Sequence, residues 1–559
     1  MRKKPTHERY AQLRQTCVDR GLRLTPQRDV LLRGGYAPTT TDPRFHQQMV
    51  YAVATLVYDS FRRALGRDLS WGFDRPNEQG ARLKLRPHAV ATENAFYDPA
   101  SGEVSFGYYR AGDDSRGRNL PAGMVFTCLC HDVVAHEVTH ALLDGLRSHF
   151  LVPSHPDVLA FHEGFAHLVA LFLRFSYKEV VEAAVADGGG DVTSALLTDL
   201  GRQLGQTTDL GDNRWALVSA VVRSTGGGEG GDRTGLYQEG AEEHVNGAVL
   251  MSAMFEAFRT VYRSKTRRIV QLVTGGGRRE LGPEDLRPEV VEALADVARK
   301  LAAQFCSLAI RAIDYCPPVD LRLGEYLRAL VTADRDLVPD DPWGYREALI
   351  DAFRRRGIYP AGVADLTEDA LLWRAARSAV ARPAPFDCGE GGVSVLGSRS
   401  GKELQRLAQR VGEYVTRPEH RDAFGLLPPG STQDGQVEPP YVESVRLSQR
   451  VGPDGQLAQD LVAEITQRLR VAGPPGFDFY GGATVILAPD GEVRYVIAKS
   501  VGSRDRLGTQ RAFLTGRGRV RWESEGGGDR LVPKTYLLAA LHGGAPKQRA
   551  KKARSRDGC

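Results

Sequence analysis

The chain has 559 residues, of which 42% are hydrophobic and 26% are charged. A chain of this length is expected to hold roughly three or four structural units, and its composition excludes a largely disordered or fibrous protein. The formal net charge of +5 arises entirely after Gly544, where six basic residues and one acidic residue give a difference of +5. The seven cysteines are scattered and odd in number, so they predict no disulfide framework.

The N-terminal sequence carries no apolar segment of the kind found in secretory signals, and no apolar run reaches the roughly 18 residues of a membrane span. We therefore expect a cytoplasmic protein with reduced thiols and no membrane contact. The basic tail, residues 545–559, is interpreted as a disordered and solvated end. Nucleic-acid binding is the alternative for this tail, but nothing else in the sequence supports it.

The first 42 residues are rich in charged and polar side chains, and we interpret residues 1–42 as an N-terminal arm. A helix is predicted directly after this arm, because Asp42 is a good N-cap and Pro43 a good first helical residue. Apolar residues then recur at helical spacing as far as Leu65, so this helix should lay one apolar stripe on a core.

A short β-sheet is predicted after this first helix. Leu83 and Leu85 alternate with basic residues, and a second alternating segment is centred on Phe106. The segment Asp98–Gly102 has the composition of a turn that joins two strands. Residues 43–165 are therefore predicted to form an N-terminal α+β lobe, whose last part is helical.

Helical periodicity dominates the next part of the chain and predicts a mostly helical lobe over residues 166–383. The stretch Pro383–Gly392 is rich in proline and glycine and marks a domain boundary. Beyond it we predict a C-terminal α+β domain over residues 384–544, followed by the basic tail.

Two elements are predicted inside the C-terminal domain. The segment Leu457–Leu469 is predicted to be a helix. The apolar runs Ala483–Leu487 and Val493–Ile497 are separated by a Pro-Asp-Gly turn signal, which predicts a β-hairpin.

The segment His136-Glu137-Val138-Thr139-His140 carries a pattern with a clear chemical meaning. Residues four apart share one face of a helix, so His136 and His140 can direct two imidazoles at one zinc ion. Glu137 then lies beside the remaining coordination position, where it can act as a general base. The sequence therefore predicts a catalytic zinc site.

A catalytic zinc needs a third protein ligand and an open fourth position. Glu163 follows His140 by 23 residues and is a carboxylate within a strongly apolar helical segment. We predict that His136, His140 and Glu163 hold one zinc per chain. The alternative for Glu163 is a charge that is favoured only by the positive end of its helix.

With these residues the sequence resembles the gluzincin metallopeptidases, and within them the thermolysin-like group. The segment from Asn94 to Tyr97, Asn-Ala-Phe-Tyr, is similar to the edge segment on which that group aligns its substrate. The resemblance therefore implies that Asn94 and Ala95 bind the substrate backbone. It extends over about residues 45–262 and implies a two-lobed α+β architecture with a small sheet, zinc-binding helices and a helical lobe.

The segment His244-Val245-Asn246-Gly247 matches the His-x-Asn segment of the same family. The resemblance implies that His244 stabilises the oxyanion and that Asn246 supports it. Glu239 stands where the family places an acid that orients this histidine. In this interpretation Glu137 and His244 are the catalytic residues.

The sequence also departs from the family pattern. The family usually has an aspartate where this chain has His167, behind the first zinc histidine, whereas the acid near the second histidine is retained as Asp144. The catalytic tyrosine of the family has no match, and His149 is the only nearby polar substitute. The substrate-clamping arginine is not placed, and Arg214 and Arg223 are its candidates.

A calcium site of the family is not expected here. Asp132 occupies the position of a calcium-binding aspartate, but Arg174 stands where its partner glutamate should be. An ion pair between Asp132 and Arg174 is predicted to replace the ion.

The sequence thus predicts a zinc-dependent metalloendopeptidase, a hydrolase that acts on peptide or protein substrates. No metal ligand is recognised beyond the boundary at Pro383–Gly392, so the C-terminal domain is expected to be dispensable for zinc binding and free to engage a protein partner. The alternative is a catalytically weakened or inactive protease-like scaffold that acts through partner binding by this domain. His167 and the missing tyrosine favour the alternative.

Overall fold

The structure is a computed structural model. It describes residues 35–73, 82–112, 121–198, 235–276, 281–376, 380, 401–452, 455–488, 491–535 and 537–542. Most of the arm, the candidates Arg214 and Arg223, the boundary Pro383–Gly392 and the basic tail lie outside the described residues. Within the described ranges the chain forms helices and two β-sheets, so the predicted α+β class is confirmed.

The first helix, α1 (Pro43–Leu65), begins and ends where its sequence predicts. The side chain of Asp42 accepts a hydrogen bond from the backbone N–H of Arg44 at 2.9 Å, which caps the helix. Gly66 ends it with φ +62°, and a Cβ here would lie 2.2 Å from the carbonyl oxygen of Gln449. Glycine is therefore required both by the turn and by the close approach of the C-terminal sheet.

The N-terminal sheet contains β1 (Lys84–Val90), β2 (Ala95–Asp98), β3 (Glu103–Arg110) and β4 (Met124–Phe126). Strand β3 is central: it pairs in parallel with β1 and antiparallel with β2 and β4. Among the described strands β2 pairs with β3 alone, so its other edge is available for further contacts. The predicted strands and the turn between β2 and β3 are confirmed.

The helical segment after this sheet divides into α2 (His131–Leu146) and α3 (Pro156–Arg174), which pack against each other. Helix α3 begins at Pro156, and the ring of His155 accepts a hydrogen bond from the N–H of Asp157 at 3.1 Å. By length and composition α3 could cross a membrane, but its apolar window is 100% buried inside the protein. It is the central core helix of the lobe.

The next part of the described chain is helical, as predicted. Its helices are α4 (Lys178–Asp187), α5 (Ala195–Thr198), α6 (Glu243–Val273), α7 (Pro288–Ala312), α8 (Leu323–Leu337), α9 (Tyr345–Arg355) and α10 (Glu368–Leu371). Helices α3 and α6 cross where two glycines meet: a Cβ on Gly164 would lie 2.5 Å from the carbonyl oxygen of Gly247. This close crossing brings the start of α6 beside Glu163.

The C-terminal part begins with α11 (Gly401–Val415) and continues with a mixed sheet. Its strands are β5 (Gly430–Thr432), β6 (Gly435–Val437), β7 (Tyr441–Val451), β8 (Leu457–Val471), β9 (Gly476–Leu487) and β10 (Val493–Lys499). After them come α12 (Arg504–Thr515), β11 (Trp522–Ser524), β12 (Arg530–Pro533) and α13 (Leu537–Leu541). Strands β9 and β10 form the predicted hairpin, with Val485 opposite Val496.

The predicted helix over Leu457–Leu469 is wrong, because this segment is strand β8. Its apolar residues Leu457, Leu461, Ile465 and Leu469 are spaced by four, which fits a helix and also fits the two-residue period of a strand. In the structure, Leu461 and Ile465 face the core of the C-terminal part, and Val462 faces the core of the N-terminal lobes. The strand is buried on both sides: one face packs on the C-terminal core, and the other carries the buried polar residues Asp460, Glu464 and Thr466.

Buried charges also join the C-terminal sheet to the rest of the protein. Arg147, at the end of α2, is 0% exposed and donates to the Thr484 hydroxyl at 3.0 Å and to the Ile313 carbonyl at 2.9 Å. It also pairs with Glu464 of β8 at 3.2 Å, and Arg446 pairs with the same carboxylate at 3.1 Å. The division of the chain at residue 384 stays a prediction, but the sheet is packed on the lobe that carries α2.

Replacing Arg147 with methionine is expected to destabilise the protein by about 3–5 kcal/mol, the usual cost of removing one partner of a buried ion pair. Chemical denaturation monitored by circular dichroism measures this change. The exposed Arg354, which pairs with Asp351 on the surface of α9, provides the control. Its replacement with methionine should cost less than about 1 kcal/mol. Equal effects of the two substitutions would contradict the buried docking of the sheet.

Candidate metal centre

The three predicted zinc ligands converge in the structure. Helices α2 and α3 direct them to one point, where the Nε2 atoms of His136 and His140 are 2.9 Å apart. The Oε2 atom of Glu163 lies 3.3 Å from His136 Nε2, and its Oε1 atom lies 3.5 Å from His140 Nε2. The side chains of these residues are between 0% and 1% exposed, so the group is enclosed by protein.

A fourth donor joins them from the far end of the chain. His542 directly follows α13, and its Nε2 atom lies 3.4 Å from His136 Nε2 and 3.2 Å from Glu163 Oε1. One donor atom from each of the four residues lies within 4.8 Å of the others. The expectation that the C-terminal part contributes no ligand is therefore corrected, because His542 stands at the metal position.

These distances fit a tetrahedral metal site. Zinc bound by nitrogen and oxygen at roughly 2.0–2.1 Å has ligand atoms about 3.3–3.4 Å apart. The contacts described above within the group run from 2.9 to 3.5 Å. Three imidazoles and one carboxylate form a donor set that suits zinc and other divalent transition metals. The structure therefore holds a group able to bind a metal ion.

The charge of the group also indicates a cation. Glu163 is 0% exposed, and all its ion-pair partners in the described part of the chain are histidines. Burial alone would raise the pKa of Glu163, but His542, His244 and His140 together hold it well below its ordinary value. A buried carboxylate without a lysine or arginine needs a positive charge, which a metal ion or a protonated imidazole supplies.

The surrounding histidines are suited to be neutral ligands. Burial, together with the neighbouring His136, lowers the pKa of His140 and of His167 well below its ordinary value. Burial likewise lowers the pKa of His162 to about 3. Neutral imidazoles present a nitrogen lone pair, which metal binding requires. In contrast, the carboxylates of Glu137 and Glu163 overcome the effect of burial and raise the pKa of His542 well above its ordinary value in the metal-free protein.

The residues behind the ligands are in part those predicted, since His167 lies behind His136 as expected. The ring centroids of His167 and His136 are 4.3 Å apart, and the Nδ1 atom of His140 lies 2.7 Å from Nδ1 of His162, a residue that the family pattern does not mark. Asp144 instead accepts a hydrogen bond from the Tyr97 hydroxyl at 2.8 Å. The position of His162 next to Glu163 in the chain was the available signal for its role.

Glu137 connects the metal group to the edge strand β2. Its Oε2 atom accepts a hydrogen bond from the backbone N–H of Tyr97 at 3.0 Å, and its Oε1 atom lies 3.2 Å from Nδ1 of His542. Asn94 and Ala95 precede Tyr97 and are buried at the same place. The predicted general base and the predicted substrate-binding residues are therefore adjacent.

His244, at the start of α6, reaches the same site. Its Nε2 atom lies 3.5 Å from Glu163 Oε2, and its Nδ1 atom lies 2.7 Å from a carboxylate oxygen of Glu242. The carboxylate in contact with His244 is therefore that of Glu242 and not that of the predicted Glu239; Glu242 is also the N-cap of α6 and accepts a hydrogen bond from the His244 backbone N–H. Asn246 donates to the carbonyl of Gln238 at 2.8 Å and so holds the loop before the helix.

Two further predicted features have defined outcomes. The ion pair expected in place of calcium is formed, with Arg174 Nε 2.9 Å from Asp132 Oδ1. His149 does not point into the metal group: its Nε2 atom lies 2.9 Å from Glu443, and its ring packs against Tyr480 of the C-terminal sheet. His149 is therefore a contact between the lobe and the sheet.

A second group of donor atoms is formed by His46, His88 and Cys128. The two imidazoles already lie in hydrogen-bonding contact, with His46 Nδ1 2.8 Å from His88 Nε2, and the group contains no carboxylate. Burial raises the pKa of the Cys128 thiol, which opposes the thiolate form that binds metals. This group is weaker than the one around Glu163 as a candidate metal site.

Asp144 leads to a pH-dependent prediction. Burial raises its pKa from 3.8 to about 6, so folding favours its neutral form, and its stabilising contribution is lost as the pH rises through 6. Asp144→Asn removes that loss, so between pH 4 and pH 8 the free energy of unfolding of the variant should rise relative to that of the wild type. The rise should reach at most about 3 kcal/mol, at about 1.4 kcal/mol per pKa unit. Urea denaturation at several pH values measures the difference, and a constant difference would contradict the prediction.

Comparisons of the chain with protein-family models, with curated proteins and with solved structures gave no match. The resemblance to the gluzincins therefore rests on the motif residues and on their arrangement around Glu163.

Proposed function

We propose that the protein is a zinc-dependent metalloendopeptidase of the thermolysin-like kind. The observation that supports this most strongly is the convergence of His136, His140 and Glu163 on one point, with Glu137 held between that point and β2. In a structural metal site an adjacent carboxylate that binds no metal is optional and serves to orient a ligand histidine. A hydrolytic site needs one, because water must lose a proton as it attacks the peptide carbonyl.

In this proposal metal binding, proton transfer and oxyanion stabilisation are carried out by different residues. His136, His140 and Glu163 would hold the zinc, which when bound lowers the pKa of water and polarises a carbonyl group. Glu137 takes the proton, since its Oε1 atom lies 3.2 Å from the ring of His542, the residue at the fourth position, while the Tyr97 N–H fixes its other oxygen. With its Nδ1–H donated to Glu242, His244 can donate a second hydrogen bond from Nε2 to the oxyanion when both ring nitrogens carry protons, and the Glu242 carboxylate stabilises that charged form.

The second candidate function is that of a scaffold whose metal site is structural. It is favoured by His542, because four protein ligands close a zinc site and catalytic sites keep one position open. The position of His167, where the family has an aspartate, points the same way. The two candidates differ in whether the fourth position ever becomes available to water.

Peptide cleavage before and after chelation tests the proposal. Purified protein should cleave a mixture of peptides, lose this activity on treatment with a zinc chelator and regain it when one equivalent of zinc is added. The assay should include a variant in which His542 is replaced by alanine, because that histidine occupies the fourth position. Cleavage that is absent from both proteins at full zinc occupancy, or that survives chelation, would reject the peptidase.

A further inference from the structure

The segment Leu537–His542, here called the C-terminal plug, lies where a peptidase substrate would bind. Helix α13 packs against the free edge of β2. The Asn94 side chain donates to the carbonyl oxygen of Ala539 at 3.3 Å, and Nδ1 of His542 lies 3.1 Å from the carbonyl oxygen of Ala95. The two residues assigned to the substrate backbone are therefore both occupied by the chain itself.

The plug also covers the catalytic groups. Its last residue, His542, contacts Glu137 through one ring nitrogen and Glu163 through the other. The ring of His542 lies 6.2 Å from that of His244, so the plug reaches the oxyanion-stabilising group as well. No water or substrate carbonyl can take the fourth metal position while His542 is there.

We propose that the C-terminal plug is a built-in inhibitor, in which His542 is a displaceable fourth metal ligand and Leu537–Leu541 holds it over the substrate-binding edge. This inference rests on the proposed peptidase function and adds its regulation: the enzyme is closed at rest and becomes active when the plug leaves the cleft.

His542 is more exposed than the other three ligands and is held by a shorter structural element. The side chains of His136, His140 and Glu163 are 1%, 0% and 0% exposed, whereas that of His542 is 11% exposed and lies at the mouth of the site. The three inner ligands come from two long adjacent helices, but His542 follows a helix of five residues. Removal of His542 leaves the three-ligand arrangement of a catalytic zinc site intact.

Leucine side chains fix the plug in place. Leu537, Leu538 and Leu541 are 6%, 1% and 6% exposed and belong to the core of the N-terminal lobes. The chain before the plug is also anchored, because Arg521 pairs with Glu243 of α6 and the indole N–H of Trp522 donates to the Pro153 carbonyl at 3.3 Å. Burial of this apolar surface favours the closed state, and shortening one leucine should shift the balance towards the open state.

The test uses full-length protein loaded with cobalt(II), whose visible absorption reports on its ligands, and azide as a small ligand for the fourth position. In the wild type azide should bind weakly, because it must displace His542. In His542→Ala it should bind at least about tenfold more tightly, as expected for a position that a protein side chain no longer blocks. The matched control is His420→Ala, which removes a buried imidazole that contacts the Tyr414 carbonyl in the C-terminal part.

A second variant tests the leucine anchor without touching a ligand. Leu541→Ala should also increase azide affinity, whereas Leu514→Ala, which shortens a leucine that is 1% exposed in another core cluster, should not. If His542→Ala fails to fold, His542→Gln provides the same comparison with a side chain of similar size. Equal azide affinity in the wild type and in both plug variants would overturn the inference.

Peptide cleavage measured on the same samples separates the two proposals. Tighter azide binding together with faster cleavage in the variants supports both. Tighter azide binding without any cleavage supports the plug and rejects the peptidase. If azide affinity is unchanged in the variants and the wild type cleaves peptides as fast as they do in a zinc-dependent manner, the plug is rejected and the peptidase is supported.

Discussion

Replacing Glu137 with glutamine is expected to lower peptide turnover by about 100- to 10,000-fold while leaving zinc bound, because the change removes the proton acceptor and keeps the shape of the side chain. The measurement is the rate of peptide cleavage at equal zinc occupancy. It should be made both in the wild type and in the His542→Ala background, where the site is open. The Tyr97 N–H that bonds to Glu137 can still donate to the glutamine oxygen, so the edge strand should keep its position.

Glu239→Gln is the matched control for this substitution. It makes the same chemical change close to the site, at a residue whose predicted role belongs to Glu242 in the structure. Its turnover should stay within a few-fold of the wild type. Loss of activity in both variants, or in neither, would contradict the assignment of Glu137 as the general base.

Glu163→Gln is expected to abolish zinc binding at micromolar metal. The carboxylate is the only negatively charged donor of the four, and the amide that replaces it is a much poorer zinc ligand. The fall in affinity should exceed the roughly 10- to 100-fold that loss of a residue behind a ligand usually costs. Competition with a chromogenic chelator measures the affinity of the wild type and the variant.

Glu443→Gln is the control for the loss of zinc affinity. Glu443 is a partly buried carboxylate that also pairs with a histidine, His149, but it stands outside the metal group. Its replacement should leave zinc affinity unchanged. If the Glu163 variant keeps its native circular dichroism and binds zinc as tightly as the wild type, the assignment of Glu163 as a zinc ligand is wrong.

The features that the sequence predicted correctly are those encoded by neighbouring residues. Asp42 and Pro43 set the start of α1 through local capping, and the hairpin of β9 and β10 follows from two apolar runs around a turn signal. His136 and His140 are four apart on one helix, so their common direction needs no knowledge of the fold.

The features that were missed depend on contacts between distant residues. Strand β8 was predicted as a helix because its leucines are spaced by four, and only the two cores on either side of it decide between the alternatives. His542 is 379 residues from Glu163, and a single histidine in an ordinary sequence gives no sign that it reaches a metal group. The family spacing points to Glu239 as the acid beside His244, whereas the capping geometry of α6 places Glu242 there.

Zinc K-edge X-ray absorption of the purified full-length protein tests the metal centre most directly, when combined with the zinc content of the same sample. We predict one zinc per chain with four nitrogen or oxygen ligands at about 2.0–2.1 Å and the outer scattering of several imidazoles. In His542→Ala one imidazole should be replaced by a water oxygen. A sulfur ligand at about 2.3 Å would place the metal on a cysteine, for example Cys128 in the group with His46 and His88. That result, or a protein that retains no zinc, would contradict a metal centre built on His136, His140 and Glu163.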